Sequence, residues 1–327
     1  YRMQRNFWDP SEGLYGMWVP RSLGGAELNP VDSLQVIEHV AYGDPSAGWV
    51  LMAWARAIDT GAAYLDDHAV TALLGGARLP VIAGQGTKPG RAIPRPGGFQ
   101  LSGSWSFASG IKHGTHIHTL GVVEGTGEAR IFVLPVEQAT LIDNWDVMGL
   151  RGTGSIDYRI DDVFVPAGYT HVAGTEVPLR GGALYTVGIA GFAAICHSAW
   201  ACGIGRRMLD ELADQVRHRG GRAGTQASSE SFLEQYGKAE GVYRAVRALV
   251  YESWREAWHA LERGDQLTLR QQTTIRLAMA HVTWAAHDGA GFVYTSAGTA
   301  RLRPGTIQRL FRGMDADHPK HVAAWLA

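Results

Sequence analysis

Several short segments carry side chains whose types and spacing could do chemistry. Ser109-Gly-Ile-Lys112 has the serine-x-x-lysine spacing in which an amine activates a nucleophilic hydroxyl, but the companion Ser-Asp-Asn and Lys-Thr-Gly elements are absent from the chain. His113, His116 and His118 form the tightest group among thirteen histidines. His116 and His118 would share one face of an extended strand, yet no cysteine or carboxylate completes a ligand set, and no metal is expected. His318-Pro-Lys-His321 adds two imidazoles near the chain end, where they read equally as solvated side chains. Gly149-Leu-Arg-Gly152-Thr-Gly154-Ser155 is rich in glycine but lies between strand-like segments, so it lacks the strand-to-helix context of a dinucleotide fingerprint and reads as a loop lining a site. Gly84-Gln-Gly86-Thr-Lys88-Pro89-Gly90 lacks the spacing of a phosphate loop and reads as a turn. The eleven tryptophans are core residues one by one, but Trp105 and Trp145 flank the glycine-rich loop and suggest a stacking site.

These residues need elements to hold them. Asn29-Pro30 and Asp44-Pro45 each pair an N-cap with proline at the first helical position, predicting two helices. Val31, Leu34, Ile37, Val40 and Ala41 recur at helical spacing after the first. Trp49, Val50, Met52, Ala53 and Trp54 make the second apolar nearly all round, hence central. A short helix from about Leu65 to Leu74 should end at Gly75-Gly76. From about residue 80 the chain turns to alternation: Phe99, Leu101, Trp105 and Phe107, then Thr119 to Val123, Ile131 to Leu134, and Ile156, Tyr158 and Ile160. Short strands at this spacing predict a small antiparallel barrel. From about Leu184 the helical period returns. Phe232, Leu233, Tyr236, Ala239, Val242, Tyr243, Val246, Leu249, Val250 and Trp254 form one stripe, and a further helix spans about Leu267 to Thr295, as in an antiparallel bundle. The expected fold is mainly α with a β-barrel in the middle: helical residues 1–79, barrel residues 80–183 and a helical bundle over residues 184–327.

The 327 residues carry 30 Lys and Arg against 31 Asp and Glu, a formal charge of -1 that supplies no field for a phosphate backbone, so nucleic acid is not expected as a partner. With 46% hydrophobic and 19% charged residues, the chain can bury a sizeable core, and part of its surface is expected to be covered by other subunits. Cys196 and Cys202 lie six apart in one apolar run, where a helix would not bring them together, which suits a reducing compartment. The chain opens at Tyr1 without a secretory leader, and missing N-terminal residues and a cytoplasmic location are expected. Val187 to Gly205 approaches the length of a membrane span, but His197, Ser198 and many small residues read as a buried helix.

Taken together, Gly43-Asp-Pro-Ser-Ala-Gly-Trp49, Trp105-Ser-Phe-Ala-Ser-Gly110, Trp145-Asp-Val-Met-Gly-Leu-Arg-Gly-Thr-Gly-Ser155 and Asp161-Asp-Val-Phe-Val-Pro166 resemble, in order and spacing over nearly the whole chain, the acyl-CoA dehydrogenase superfamily. The Trp-x-x-x-Ser-Gly motif is similar to that of its two-component flavin-dependent monooxygenases, the branch that holds the oxygenase components of p-hydroxyphenylacetate hydroxylase and dibenzothiophene monooxygenase. The resemblance implies an N-terminal helical domain, a middle β domain and a C-terminal four-helix bundle, assembled as a homotetramer. An acyl-CoA dehydrogenase would carry a catalytic glutamate before the last helix, whereas Arg303-Pro-Gly-Thr-Ile-Gln-Arg-Leu-Phe-Arg312 offers no carboxylate to abstract an α-proton.

For the monooxygenase branch the resemblance implies reduced FMN or FAD delivered by a separate flavin reductase, O2 as co-substrate, a C4a-hydroperoxyflavin, and a small aromatic substrate. Ser109 matches the serine near flavin N5. Trp105, Phe107, Ala108 and Gly110, with Arg151, Gly152, Thr153 and Ser155, would surround the cofactor, and Arg219 or Arg222 would pair with its phosphate. Trp54, Trp145 and Met148 would line the substrate. The family's catalytic histidine falls at His321, with His318 as the alternative, where a neutral imidazole takes a substrate proton. Gly313 stands where the family more often has an aspartate. Two other readings share the fold: an acyl-CoA dehydrogenase-like FAD oxidoreductase, and a flavin-free ligand-binding scaffold.

Overall fold

A computed structural model describes residues 13–218 and 229–316. They form two compact units, one of residues 13–28, 49–146 and 151–193, the other of residues 29–48, 147–150, 194–218 and 229–316.

The first unit is organised around seven strands: β1 (Ile82–Arg95), β2 (Gly98–Ala108), β3 (His116–Val123), β4 (Ala129–Pro135), β5 (Thr140–Ile142), β6 (Ile156–Pro166) and β7 (Thr170–Val172). Their order in the sheet is β5-β6-β2-β1-β3-β4-β7. The expected antiparallel barrel is corrected on two counts. The outer strands β5 and β7 each pair on one side only, so the sheet is open, and β1 runs parallel to β3. Gly84 to Gly90, expected as a turn, lies within β1, where the register with β3 shifts between Gln85 and Gly90. Such a bulge lets a glycine- and proline-rich stretch stay in a sheet, because the unpaired residues need no ladder hydrogen bonds.

Helices α2 (Pro45–Tyr64) and α3 (Asp67–Leu74) supply apolar cover for this unit, α2 from Trp49 onward. Val50, Leu51, Trp54, Ala55, Ile58 and Ala62 are all buried, as expected of a helix apolar nearly all round. Four polar side chains share this interior. Thr60 Oγ1 and His118 Nε2 lie 3.1 Å apart, and the His171 ring is tilted against Tyr64 at 5.3 Å. Asp59 is fully buried.

The second unit is helical: α1 (Pro30–Gly43), α4 (Gly188–His218) from Ala194 on, α5 (Glu230–Glu262), α6 (Leu269–Ser296) and α7 (Thr306–Ala316). The predicted cap holds at α1, where Asn29 Oδ1 accepts from the Asp32 amide at 2.9 Å. Ser229 and Thr268 cap α5 and α6 in the same way, the latter reciprocally with Gln271. The α4 helix runs through Gly203 and Gly205 as expected, and its most apolar window is 83% buried, which marks a core helix. Cys196 and Cys202 are both buried free thiols.

Of the α5 stripe, Phe232, Tyr243, Val246, Val250 and Trp254 face inward, whereas Leu233 and Val242 are corrected to exposed positions. A charged cluster ties α1 to α5: Glu38 accepts from Arg247 Nε at 2.7 Å and from the Tyr243 and Tyr251 hydroxyls. The Arg247 guanidinium also lies 4.3 Å from the Tyr251 ring centroid, so one cation meets both a carboxylate and a π face.

Candidate active site

The candidate site is built where β2 leaves the sheet. Along this strand Leu101, Trp105 and Ala108 are buried, while Phe107 is 66% exposed and holds φ at +67°. Positive φ is costly for a bulky side chain and persists only where the surroundings impose it. Here it turns the Phe107 ring outward, edge to face with half-buried Trp145 at 6.2 Å and 83°. Two residues expected around cofactor and substrate are thereby brought together.

Ser109 follows, 6% exposed, with its hydroxyl at the head of a polar chain. Trp49 Nε1 donates to Ser109 Oγ at 3.0 Å. Ser109 Oγ lies 2.8 Å from Ser155 Oγ, which lies 2.6 Å from Thr153 Oγ1. All three hydroxyls belong to buried residues, so each hydrogen bond is made without water competing strongly for it. The Gly110 amide donates to the Thr153 carbonyl at 2.8 Å and locks β2 to the turn Arg151–Thr153 that precedes β6.

Gly110 sits at φ +73°, and a β-carbon there would meet Trp54 Nε1 at 2.4 Å. A side chain is excluded on both counts. Trp54 is therefore a wall behind the Ser109-Gly110 backbone, 4% exposed and edge-on to Tyr15 and His113. Its expected substrate contact is not what this packing shows.

The other expected site residues divide by environment. Trp105 is corrected to a packing role. It is 1% exposed, stacked on Tyr158 at 5.2 Å, and donates to the Leu120 carbonyl at 3.2 Å. Its position in an inward-facing register of β2 explains the burial, which leaves no ring face for a ligand. Ala108 is fully buried beside Ser109, and Arg151 and Gly152 are exposed at the turn. Arg151 approaches Asp146 at 3.9 Å, too solvated a pair to fix its head. Met148 belongs to the second unit and is 67% exposed. His318, His321, Arg219 and Arg222 lie outside the described residues.

Trp49 was not among the expected site residues. The signal for it lay in the segment Gly43 to Trp49, which carries the resemblance but gives no hint that an indole would reach a serine on a strand. The Lys112 ammonium of the serine-x-x-lysine spacing pairs instead with both carboxylate oxygens of Asp143 at 2.7 Å, near the same turn.

Comparison with known proteins gives the site its context. Residues 195–322 match the family model described as acyl-CoA dehydrogenase, C-terminal domain. An indole-3-acetate monooxygenase of Pseudomonas putida is 32% identical over 286 residues, which cover 86% of this chain and 72% of the relative. The oxygenase component of an FADH(2)-dependent resorcinol hydroxylase from Rhizobium sp. is 30% identical over 165 residues, 47% of this chain and 38% of that one. The crystal structure of a 3-HSA hydroxylase from Rhodococcus sp. RHA1 superposes with a TM-score of 0.88 at 22% identity, covering 96% of this chain and 86% of that one.

Proposed function

The chain belongs to the flavin-dependent monooxygenases of the acyl-CoA dehydrogenase superfamily and uses reduced flavin and O2, and from that premise we propose that its own substrate is a small aromatic molecule held against Phe107 and Trp145. The observation that carries this reading is the outward, positive-φ Phe107 ring set edge-on to Trp145, two residues before a buried, hydrogen-bonded serine.

The residues fit a flavin. Its ring system is flat and aromatic with a polar edge, and the segment Phe107 to Gly110 offers an exposed aromatic face, a hydroxyl and a backbone that admits no β-carbon. When bound, reduced flavin supplies the electrons that activate O2, so that one oxygen atom enters the substrate and the other leaves as water. Ser109 would hold a hydrogen bond at the ring edge. Phe107 and Trp145 would exclude water and present edges and faces that favour an aromatic partner. Arg151, Gly152, Thr153 and Ser155 would close this side of the site, Met148 would line the substrate, and Arg219 or Arg222 would pair with the flavin phosphate. His321, or His318 in its place, would take a phenol or ring N–H proton from the substrate.

A separate flavin reductase would be the redox partner, as the term oxygenase component in the name of the resorcinol hydroxylase suggests. The notion of three domains over residues 1–79, 80–183 and 184–327, assembled as a cytoplasmic homotetramer, belongs to the same proposal. The test is a reaction with a flavin reductase, NADH, FMN or FAD, and labelled O2 over a panel that includes indole-3-acetate and resorcinol. A product heavier by one labelled oxygen atom supports the aromatic reading. Oxygenation confined to aliphatic thiols, amines or acyl thioesters would overturn it.

A further inference from the structure

We infer that Trp49, Ser155 and Thr153 are positioning residues that let Ser109 meet a flavin nitrogen as a hydrogen-bond donor in one redox state and as an acceptor in the other. The inference rests on the reading that the flavin ring lies against Ser109.

It follows from counting protons and lone pairs. An indole N–H can only donate, so the Trp49 bond at 3.0 Å permanently occupies one lone pair of Ser109 Oγ. Ser109 keeps one proton and one lone pair, to be shared between Ser155 and whatever lies beyond. If Ser155 donates to Ser109, the Ser109 proton is left for the ligand. If Ser109 donates to Ser155, its lone pair is left instead. Ser155 can accept in that second arrangement and still place its own proton, because Thr153 Oγ1 stands 2.6 Å away. A row of hydroxyls is therefore reversible end to end, whereas an amide or an ammonium in the same place would have a fixed polarity.

Flavin N5 is an acceptor when the ring is oxidised and carries a hydrogen when it is reduced. A single fixed donor would suit only the oxidised ring. The Ser109-Ser155-Thr153 row suits both, and its burial, with 6%, 3% and 2% of each residue exposed, keeps bulk water from taking over the same task. The indole of Trp49 has the further effect of limiting Ser109 to these two arrangements.

Shortening the row should harm one redox form selectively. In Thr153→Val the Ser155 proton loses its acceptor only when the row points away from the ligand, the arrangement that reduced flavin requires. In Ser155→Ala the Ser109 proton is orphaned in the same arrangement. Oxidised flavin calls for the opposite polarity, in which each change removes a donor but strands no proton, and the stranded donor is the more costly loss.

The experiment is an anaerobic calorimetric titration of the whole protein, and of each variant, with oxidised and with chemically reduced FMN and FAD. Both variants are expected to weaken the reduced form by about 5- to 100-fold, the usual effect of one orphaned buried donor, and the oxidised form by less than about 3-fold. Each tenfold difference equals a shift of ~30 mV in the potential of the bound flavin toward more negative values, which spectroelectrochemistry reads independently. Thr153→Ser, which keeps the hydroxyl, should restore the parental ratio of the two affinities, an outcome that a merely structural role for Thr153 does not require. Equal losses for both redox forms, or no change in either, would overturn the inference while leaving flavin binding at Ser109 intact. Failure of the parent protein to bind either form would instead remove the reading beneath it.

Discussion

Gly149 and Arg312 approach each other so closely in the second unit that a β-carbon on Gly149 would stand 1.8 Å from the Arg312 carbonyl oxygen. The loop of residues 147–150 is thereby seated directly on the backbone of α7, with the Leu150 side chain reaching toward Gly313. Gly149→Ala must push the loop off the helix or bend the helix itself. The expected cost is about 1–3 kcal/mol, as for other overpacked sites, read as a lower urea midpoint. An unchanged midpoint would mean that loop and helix separate freely.

Acid should destabilise the first unit through two histidines. Burial pushes His118 down to about 3 and His171 to about 4, against an ordinary value of 6.5. The folded chain thus refuses protons that the unfolded chain accepts below about pH 6.5. The stability they contribute is complete above that pH and is lost as pH falls toward 4 and then 3. Each histidine adds a slope of ~1.4 kcal/mol per pH unit in this window. Urea unfolding from pH 7 to pH 5 measures the slope. His118→Gln, which still offers a partner to Thr60, should reduce it by about one histidine's share, and an undiminished slope would show that His118 does not titrate as stated.

Asp59 acts with the opposite sign. Among the described residues neither of its carboxyl oxygens has a hydrogen-bond partner, and burial first, then the charge of Glu27, raise its pKa well above the usual carboxylate value. The folded chain keeps this proton where the unfolded chain has released it, so the contribution is most favourable below the unfolded value of 3.8 and is lost as pH rises. Asp59→Asn should accordingly be more stable than the parent at pH 8, by about 1–3 kcal/mol, with the gap closing toward pH 4. Thermal melts at the two pH values decide the matter, and a less stable variant at pH 8 would contradict it.

For His321 the expected outcome is kinetic. His321→Ala should lower product formed per O2 consumed by roughly 10²-fold or more, the usual contribution of a general base, while O2 consumption continues. His318→Ala should leave that ratio nearly unchanged. Reversal of the two results would assign the proton transfer to His318 instead.

How legible these features were in the sequence varied with the physics behind them. Asn29-Pro30 and Asp44-Pro45 announced α1 and α2 because capping and proline geometry are local, and Pro30–Gly43 and Pro45–Tyr64 begin where those pairs predict. The β2 and β6 alternations were also local and correct in placement. The parallel pairing of β1 with β3 was not legible, since Gly84, Gly86, Pro89 and Gly90 look like a turn until a bulge is known to absorb them. The site showed the same division. Ser109, Thr153 and Ser155 were named from a motif, and the structure joins them in one row of hydroxyls. The contact of Trp49 is tertiary and so is not legible, and the contrast between buried Trp105 and exposed Phe107 is not legible either, because alternation puts both on one face of β2 until the positive φ of Phe107 breaks it.

The central claim is that reduced flavin binds against the Phe107–Gly110 segment. Its most direct test is an anaerobic titration of the protein with reduced FMN and with reduced FAD, followed by tryptophan fluorescence and repeated with Ser109→Ala and Phe107→Ala. Saturable binding of at least one reduced flavin to the parent, weakened at least about tenfold in both variants, is the predicted result. Saturable binding that neither substitution alters, or no saturable binding of either reduced flavin, would contradict the account.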